Sequence, residues 1–160
     1  MDVSEQEAKL KLRLAQIEKH EKCQEDFLVF VKNMWPDFIA GRHHKIIAEK
    51  LERVARGELK RLIINMAPRH TKSEFASFLF PAWMMGKNPK MKIIQATHTT
   101  ELAVNFGRKT KNLIDSDDYK DIFPSVNLSA DSKASGRWDT TSGGMYYAVG
   151  VGSNLSLIHI

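Results

Sequence analysis

Lys72 and Ser73 close the polar turn Ala67-Pro68-Arg69-His70-Thr71 and open an apolar stretch that runs over residues 74–85. An ammonium beside a hydroxyl at a helix start suits the holding of a nucleoside triphosphate. Backbone N–H groups at the start of the helix surround the phosphates, the lysine reaches the β- and γ-oxygens, and the hydroxyl ligates Mg²⁺. The common pattern, G-x-x-x-x-G-K-[ST], asks for glycine where this chain has Met66 and Thr71. Glycine reaches φ > 0 and lets the backbone close on the phosphates. Its absence leaves a second reading open, in which Lys72 is solvated and Ser73 merely lies in the first helical turn.

Other reactive side chains form no comparable group. The histidines lack companion ligands at metal-binding spacing and Cys23 stands alone, so a zinc site is not expected. A single cysteine excludes an internal disulfide and fits a reducing cytosol. Trp138 and Tyr146 have faces that can stack on bases, but aromatic residues near a hairpin are more often core.

The elements that must position the turn follow from periodicity. Ser4 and Glu7 form the S-x-x-E signature of a helix start, and Leu10, Leu14 and Ile17 then share one face. One long helix is expected to about Lys32, exposed in its charged first half, buried over 27–31, and stopped near Trp35-Pro36. A second helix spans about 42–56, with Ile47, Leu51 and Val54 inward and Gly57 as terminator. Residues 62–66 read as the strand entering the turn. The helix from Lys72 carries Phe75, Phe78 and Leu79 and is expected to kink or end at Pro81. Residues 91–97 read as a second strand. Thr99 or Thr100 caps a third helix whose core face is Leu102, Ala103, Phe106, Thr110, Leu113 and Ile114. Strand, helix, strand, helix at this spacing predicts a parallel sheet covered by helices. Residues 138–141 and 145–149, joined through Ser142-Gly143-Gly144, read as a hairpin.

The 160 residues, 42% of them hydrophobic, suffice for one domain with a core. No run of about 18 apolar residues indicates a membrane span, and the charged N-terminus lacks the apolar core of a signal peptide. The net charge of +5 is unevenly spread. Residues 1–57 carry 11 basic and 10 acidic groups, residues 58–112 carry 10 and 3, and residues 113–160 carry 3 and 6. The positive excess surrounds Lys72, where a polyanion would be handled; a solvated basic face is the alternative.

Four blocks in matching order give the chain a resemblance to the large subunit of tailed-phage terminases, the ATP-driven DNA-packaging motors. Pro68-Arg69-His70-Thr71-Lys72-Ser73-Glu74 resembles the P-R-H-x-K-S-E phosphate loop of that family, in which threonine also occurs at the Thr71 position. Phe80-Pro81-Ala82-Trp83, the stretch 101–109 ending Asn105-Phe106-Gly107-Arg108-Lys109, and Arg137-Trp138-Asp139-Thr140 followed by Gly143-Gly144 and residues 146–152 are similar to further family blocks. The resemblance covers about residues 27–153. It implies an α/β fold, a RecA-like P-loop NTPase three-layer sandwich with a mainly parallel sheet, truncated here and preceded by N-terminal helices. The implied division is an N-terminal helical region 1–57, the first part of an ATPase domain 58–154, and a non-native tail 155–160.

Carried over residue by residue, the resemblance makes Pro68, Arg69, His70, Thr71, Lys72, Ser73 and Glu74 the ATP-binding loop. Lys72 would contact the β- and γ-phosphates, Ser73 would ligate Mg²⁺, and Arg69 would sense or stabilise the γ-phosphate. A guanidinium suits that role because it pairs with two phosphate oxygens and stays charged. His70 would shape the turn, and His43 or His44 would lie on the adenine side. The implied partners of the parent protein are double-stranded DNA, the phage portal, the terminase small subunit and further copies of itself. Its implied place is the cytoplasm of the infected bacterial host.

Such a motor also needs an apolar strand ending in an aspartate for Mg²⁺, followed by a carboxylate that orients water. Asp131 and Asp139 do not end apolar strands. In terminases this motif comes shortly after the stretch matching Gly150-Val151-Gly152, and the family's C-terminal nuclease follows later. The ending Leu155-Ser156-Leu157-Ile158-His159-Ile160 resembles a translated sequencing adapter, which places the end of true sequence near Asn154. The parent is therefore expected to hydrolyse ATP, and the chain at hand to lack efficient hydrolysis. Two alternatives remain: a helicase-type, nucleic-acid-dependent ATPase, and a non-catalytic nucleic-acid- or nucleotide-binding module.

Overall fold

The helix expected to run unbroken to Lys32 is divided at Asp26. The computed structural model describes residues 3–131 and 134–151, and begins with α1 (Val3–Glu25) and α2 (Phe27–Met34). Asp26 takes an extended backbone between them, and its carboxylate accepts the Val29 N–H at 2.8 Å. Glu52 Oε1 accepts the Phe27 N–H at 3.0 Å. Two carboxylates thus satisfy donors that a helix start leaves without intrahelical partners. The break re-aims α2 so that Phe27, Phe30 and Val31 are fully buried, while Leu10, Leu14 and Ile17 of α1 stand in solvent.

Helix α3 (Arg42–Ala55) buries His44, Ile47, Ala48 and Leu51 along one stripe. It ends as expected at Gly57, whose φ of 76° allows the Gly57 N–H to reach Val54 O and the Glu58 N–H to reach Arg53 O. This paired arrangement satisfies the last carbonyls of the helix.

Beyond the polar turn the chain is helical from Lys72. A π-helix (Glu74–Leu79) leads without a break into α4 (Phe80–Lys87). Pro81 does not end this body; it stands in the first turn of α4, where the π-helix gives way to α-helix. A proline ring inside an α-helix presses on the carbonyl four residues back. Here the wider π turn precedes it, with the Phe80 N–H bonded to Phe75 O, five residues back.

The remaining elements are β1 (Lys92–Thr97), α5 (Thr100–Asp115), α6 (Asp117–Ile122), β2 (Arg137–Asp139) and β3 (Met145–Gly150). Thr99 caps α5 by accepting the Leu102 N–H. Along that helix Ala103, Phe106, Thr110 and Ile114 face inward as expected, while Leu102 is exposed. Strand β3 is central, parallel to β1 from Lys92↔Met145 to Thr97↔Gly150 and antiparallel to β2. The expected hairpin is present, and Gly143 supplies its positive φ of 89°.

The expected RecA-like three-layer sandwich with a mainly parallel sheet is not what forms. The described chain is mainly helical, with one small mixed sheet of three strands. Two local facts account for the difference. The hairpin at Gly143 makes one of the two strand pairings antiparallel, and residues 62–66 join no ladder among the described residues. Those residues do keep a strand's alternation. Leu62, Ile64 and Met66 pack on the core while Ile63 is 86% exposed. An apolar alternation directs side chains, but a strand also needs a neighbour for its backbone.

One continuous core takes in buried side chains from Cys23 to Ala148. Phe27 packs edge-on to Phe75 and Phe80, and Trp83 donates its indole N–H to Cys23 O at 2.9 Å. Tyr119 donates to Ala82 O at 2.8 Å. Trp138 and Tyr146 are stacked at 4.9 Å and fully buried, so neither presents a face to a base. No described helix is long and apolar enough to cross a membrane. Gly152 and the tail 155–160 lie outside the described residues.

Candidate phosphate-binding loop

The turn between residues 66 and 73 takes the backbone shape that glycine usually supplies. Arg69 has φ 64° and Thr71 has φ 60°. Pro68 followed by a residue of positive φ is the order of a type II turn, which explains Arg69. Thr71 lies at the position where the phosphate-loop pattern asks for glycine, so that requirement is met by a β-branched side chain in a region that disfavours it. Met66, the other departure from the pattern, is not in that region.

Each residue of the predicted loop can now be placed. Pro68, Arg69, His70 and Ser73 are exposed, while Thr71, Lys72 and Glu74 are half-buried. Thr71 O accepts the Phe75 N–H at 3.0 Å, in the first turn of the helical body. The Lys72 ammonium folds back toward Met66 O at 3.4 Å, across the mouth of the loop. His70 donates from Nδ1 to Pro68 O at 2.9 Å and so braces the turn. Glu74 is turned away to Lys109 of α5 at 2.9 Å. The loop therefore presents Arg69, His70, Lys72 and Ser73 at a helix start, while its one carboxylate is held elsewhere.

His44 enters this loop from α3. Its Nδ1 accepts the Gly41 N–H at 2.9 Å, and its Nε2 lies 2.6 Å from Thr71 Oγ1. The Thr71 hydroxyl in turn donates to His70 O at 2.6 Å. These bonds fix the tautomer: an Nδ1 that accepts leaves the proton on Nε2, which donates to Thr71. The ring is 7% exposed and packs against Phe38, Phe75 and His43. Burial first, then His43 and His70, hold its pKa below the ordinary histidine value. With both ring nitrogens engaged, His44 has nothing left to offer an adenine.

His43 is placed differently. It lines an open groove of about 260 Å³ between α3 and the extended segment, together with Ile46, Lys50, Ile63 and Asn65. Among the described residues no group of three or more His, Cys, Asp or Glu side chains could hold a metal ion. The role of His44 was not read from the sequence. The available signal was a polar residue on the otherwise apolar stripe of Ile47, Ala48 and Leu51.

The chain matches no protein-family model, no curated protein and no solved structure.

Proposed function

We propose that the loop of residues 68–74 binds the phosphates of Mg·ATP, and that the chain is the nucleotide-binding part of an ATP-driven DNA-packaging motor of the terminase large-subunit type. The observation that carries the nucleotide reading is the backbone of Arg69 and Thr71. Two non-glycine residues at positive φ lead directly into a helical body that opens with Lys72 and Ser73. Strained backbone of this kind persists only where the surroundings over-determine it, and it gathers at ligand sites.

In this reading Lys72 exchanges Met66 O for phosphate oxygens, and Arg69 approaches the γ-phosphate from the exposed side. Ser73 would ligate the metal, which would supply positive charge against the phosphate oxygens. The base lies in the groove lined by His43. The resemblance in the four ordered blocks supports the motor assignment, with double-stranded DNA, a portal, a small subunit and further copies of the chain as partners of the whole protein. The excess of basic residues over 58–112 agrees with a polyanionic partner.

Calorimetric titration with Mg·ATP tests the site. Lys72→Ala is expected to weaken binding by about tenfold to a hundredfold, the worth of charge-assisted hydrogen bonds to phosphate. Equal affinity in the variant would sink the assignment. Hydrolysis by the chain at hand is expected to stay at background, because neither Asp131 nor Asp139 follows an apolar strand as the metal-binding aspartate of such a motor does. DNA binding that weakens with salt and ignores nucleotide would instead favour the non-catalytic binding module.

A further inference from the structure

Thr71 is the outlier that the loop has to hold. A β-branched residue at φ 60° stands in a region that its side chain disfavours. Its neighbours in sequence supply one restraint, the bond from its hydroxyl to His70 O. A further restraint comes from 27 residues away, where His44 donates from Nε2 to the Thr71 hydroxyl oxygen. The Gly41 N–H fixes the opposite side of the imidazole, and Phe38 and Phe75 fix its plane. A hydrogen-bond chain therefore runs from Gly41 through His44 and Thr71 to His70, with His43 Nε2 also 3.1 Å from His44 Nε2 and the Thr71 contact the shorter of the two.

We propose that His44 is a positioning residue for the phosphate loop, holding Thr71 in the left-handed conformation that a nucleotide phosphate requires. It does so from a helix that contributes no phosphate ligand. Glycine at position 71 would adopt this conformation unaided, so threonine makes the loop dependent on α3. The inference rests on the phosphate-site reading above and adds to it the reason why the loop tolerates threonine.

The test is a double-mutant cycle on the full chain, with Mg·ATP as the probe and calorimetric affinity as the readout. His44→Ala is expected to weaken binding about tenfold in the parent sequence, and by less than about twofold in a Thr71→Gly background. A His44 that served only as packing against Phe38 and Phe75 would cost the same in both backgrounds, and that result overturns the inference. Thr71→Val keeps the ring of His44 in place and removes only the hydroxyl. It is expected to show the same loss as His44→Ala, and it carries the test should His44→Ala fail to fold; unchanged affinity in Thr71→Val overturns the inference. No Mg·ATP binding by the parent sequence would bring down the phosphate-site reading and this inference together. Binding with equal losses in both backgrounds removes the inference alone.

Discussion

At the scale of single residues, the loop depends on which protons its side chains carry. His44 accepts at Nδ1 from Gly41, so a protonated His44 would set two donors against each other. Its pKa is lowered in the folded chain by burial, by the neighbouring His43 on the same helix and by His70 of the loop. The unfolded chain therefore binds this proton more readily than the folded one. The stabilisation is complete above the ordinary value of 6.5 and is lost as pH falls through the lower folded value. Thermal denaturation at stepped pH is expected to show a midpoint that falls as pH drops below 6.5, with a shallower slope in His44→Phe. Equal slopes would mean that other groups carry the acid sensitivity.

At the scale of elements, helix ends decide where the chain turns. Asp26 makes two helices of a segment whose side-chain pattern reads as one, because its carboxylate captures the Val29 N–H. Asp26→Ala is expected to cost about 1 kcal/mol in urea denaturation, while Asp26→Asn, which also caps well, costs much less. A loss in Asp26→Asn equal to that in Asp26→Ala would point to charge rather than capping. Pro81 gives the opposite lesson. It reads as a kink or an end, yet a π turn precedes it and the helical body continues to Lys87. That continuity joins Ser73, at the loop, to Trp83, in the core.

At the scale of the whole molecule, the loop is held by a core that crosses the expected boundary near residue 57. Phe27 of α2 touches Phe75 and Trp83 of the helical body that begins at the loop. Phe27→Ala is expected to cost about 3–5 kcal/mol, a large share of the roughly 5–15 kcal/mol that stabilises a whole domain. Urea unfolding followed by tryptophan fluorescence should show one transition moved to lower midpoint. Two separated transitions would mean that the helical region and the rest fold independently.

Much of the local structure was legible in the sequence. The ends of α3, the Thr99 cap, the hairpin at Gly143 and the helix opening at Lys72-Ser73 all depend on groups within a few residues of one another. Helices close their hydrogen bonds inside their own segment, so their signals are local. Residues 62–66 show the limit of that reading. Their alternation is correct and their burial alternates, yet strand pairing depends on a partner that no local pattern specifies. The bond between His44 and Thr71 lies outside local reading for the same reason, since 27 residues separate the two. The sequence by itself determined which residues the loop offers, a lysine, a hydroxyl and an arginine at a helix start. Only the tertiary structure decided how threonine stands where glycine is usual, because the imidazole that holds it arrives from another helix.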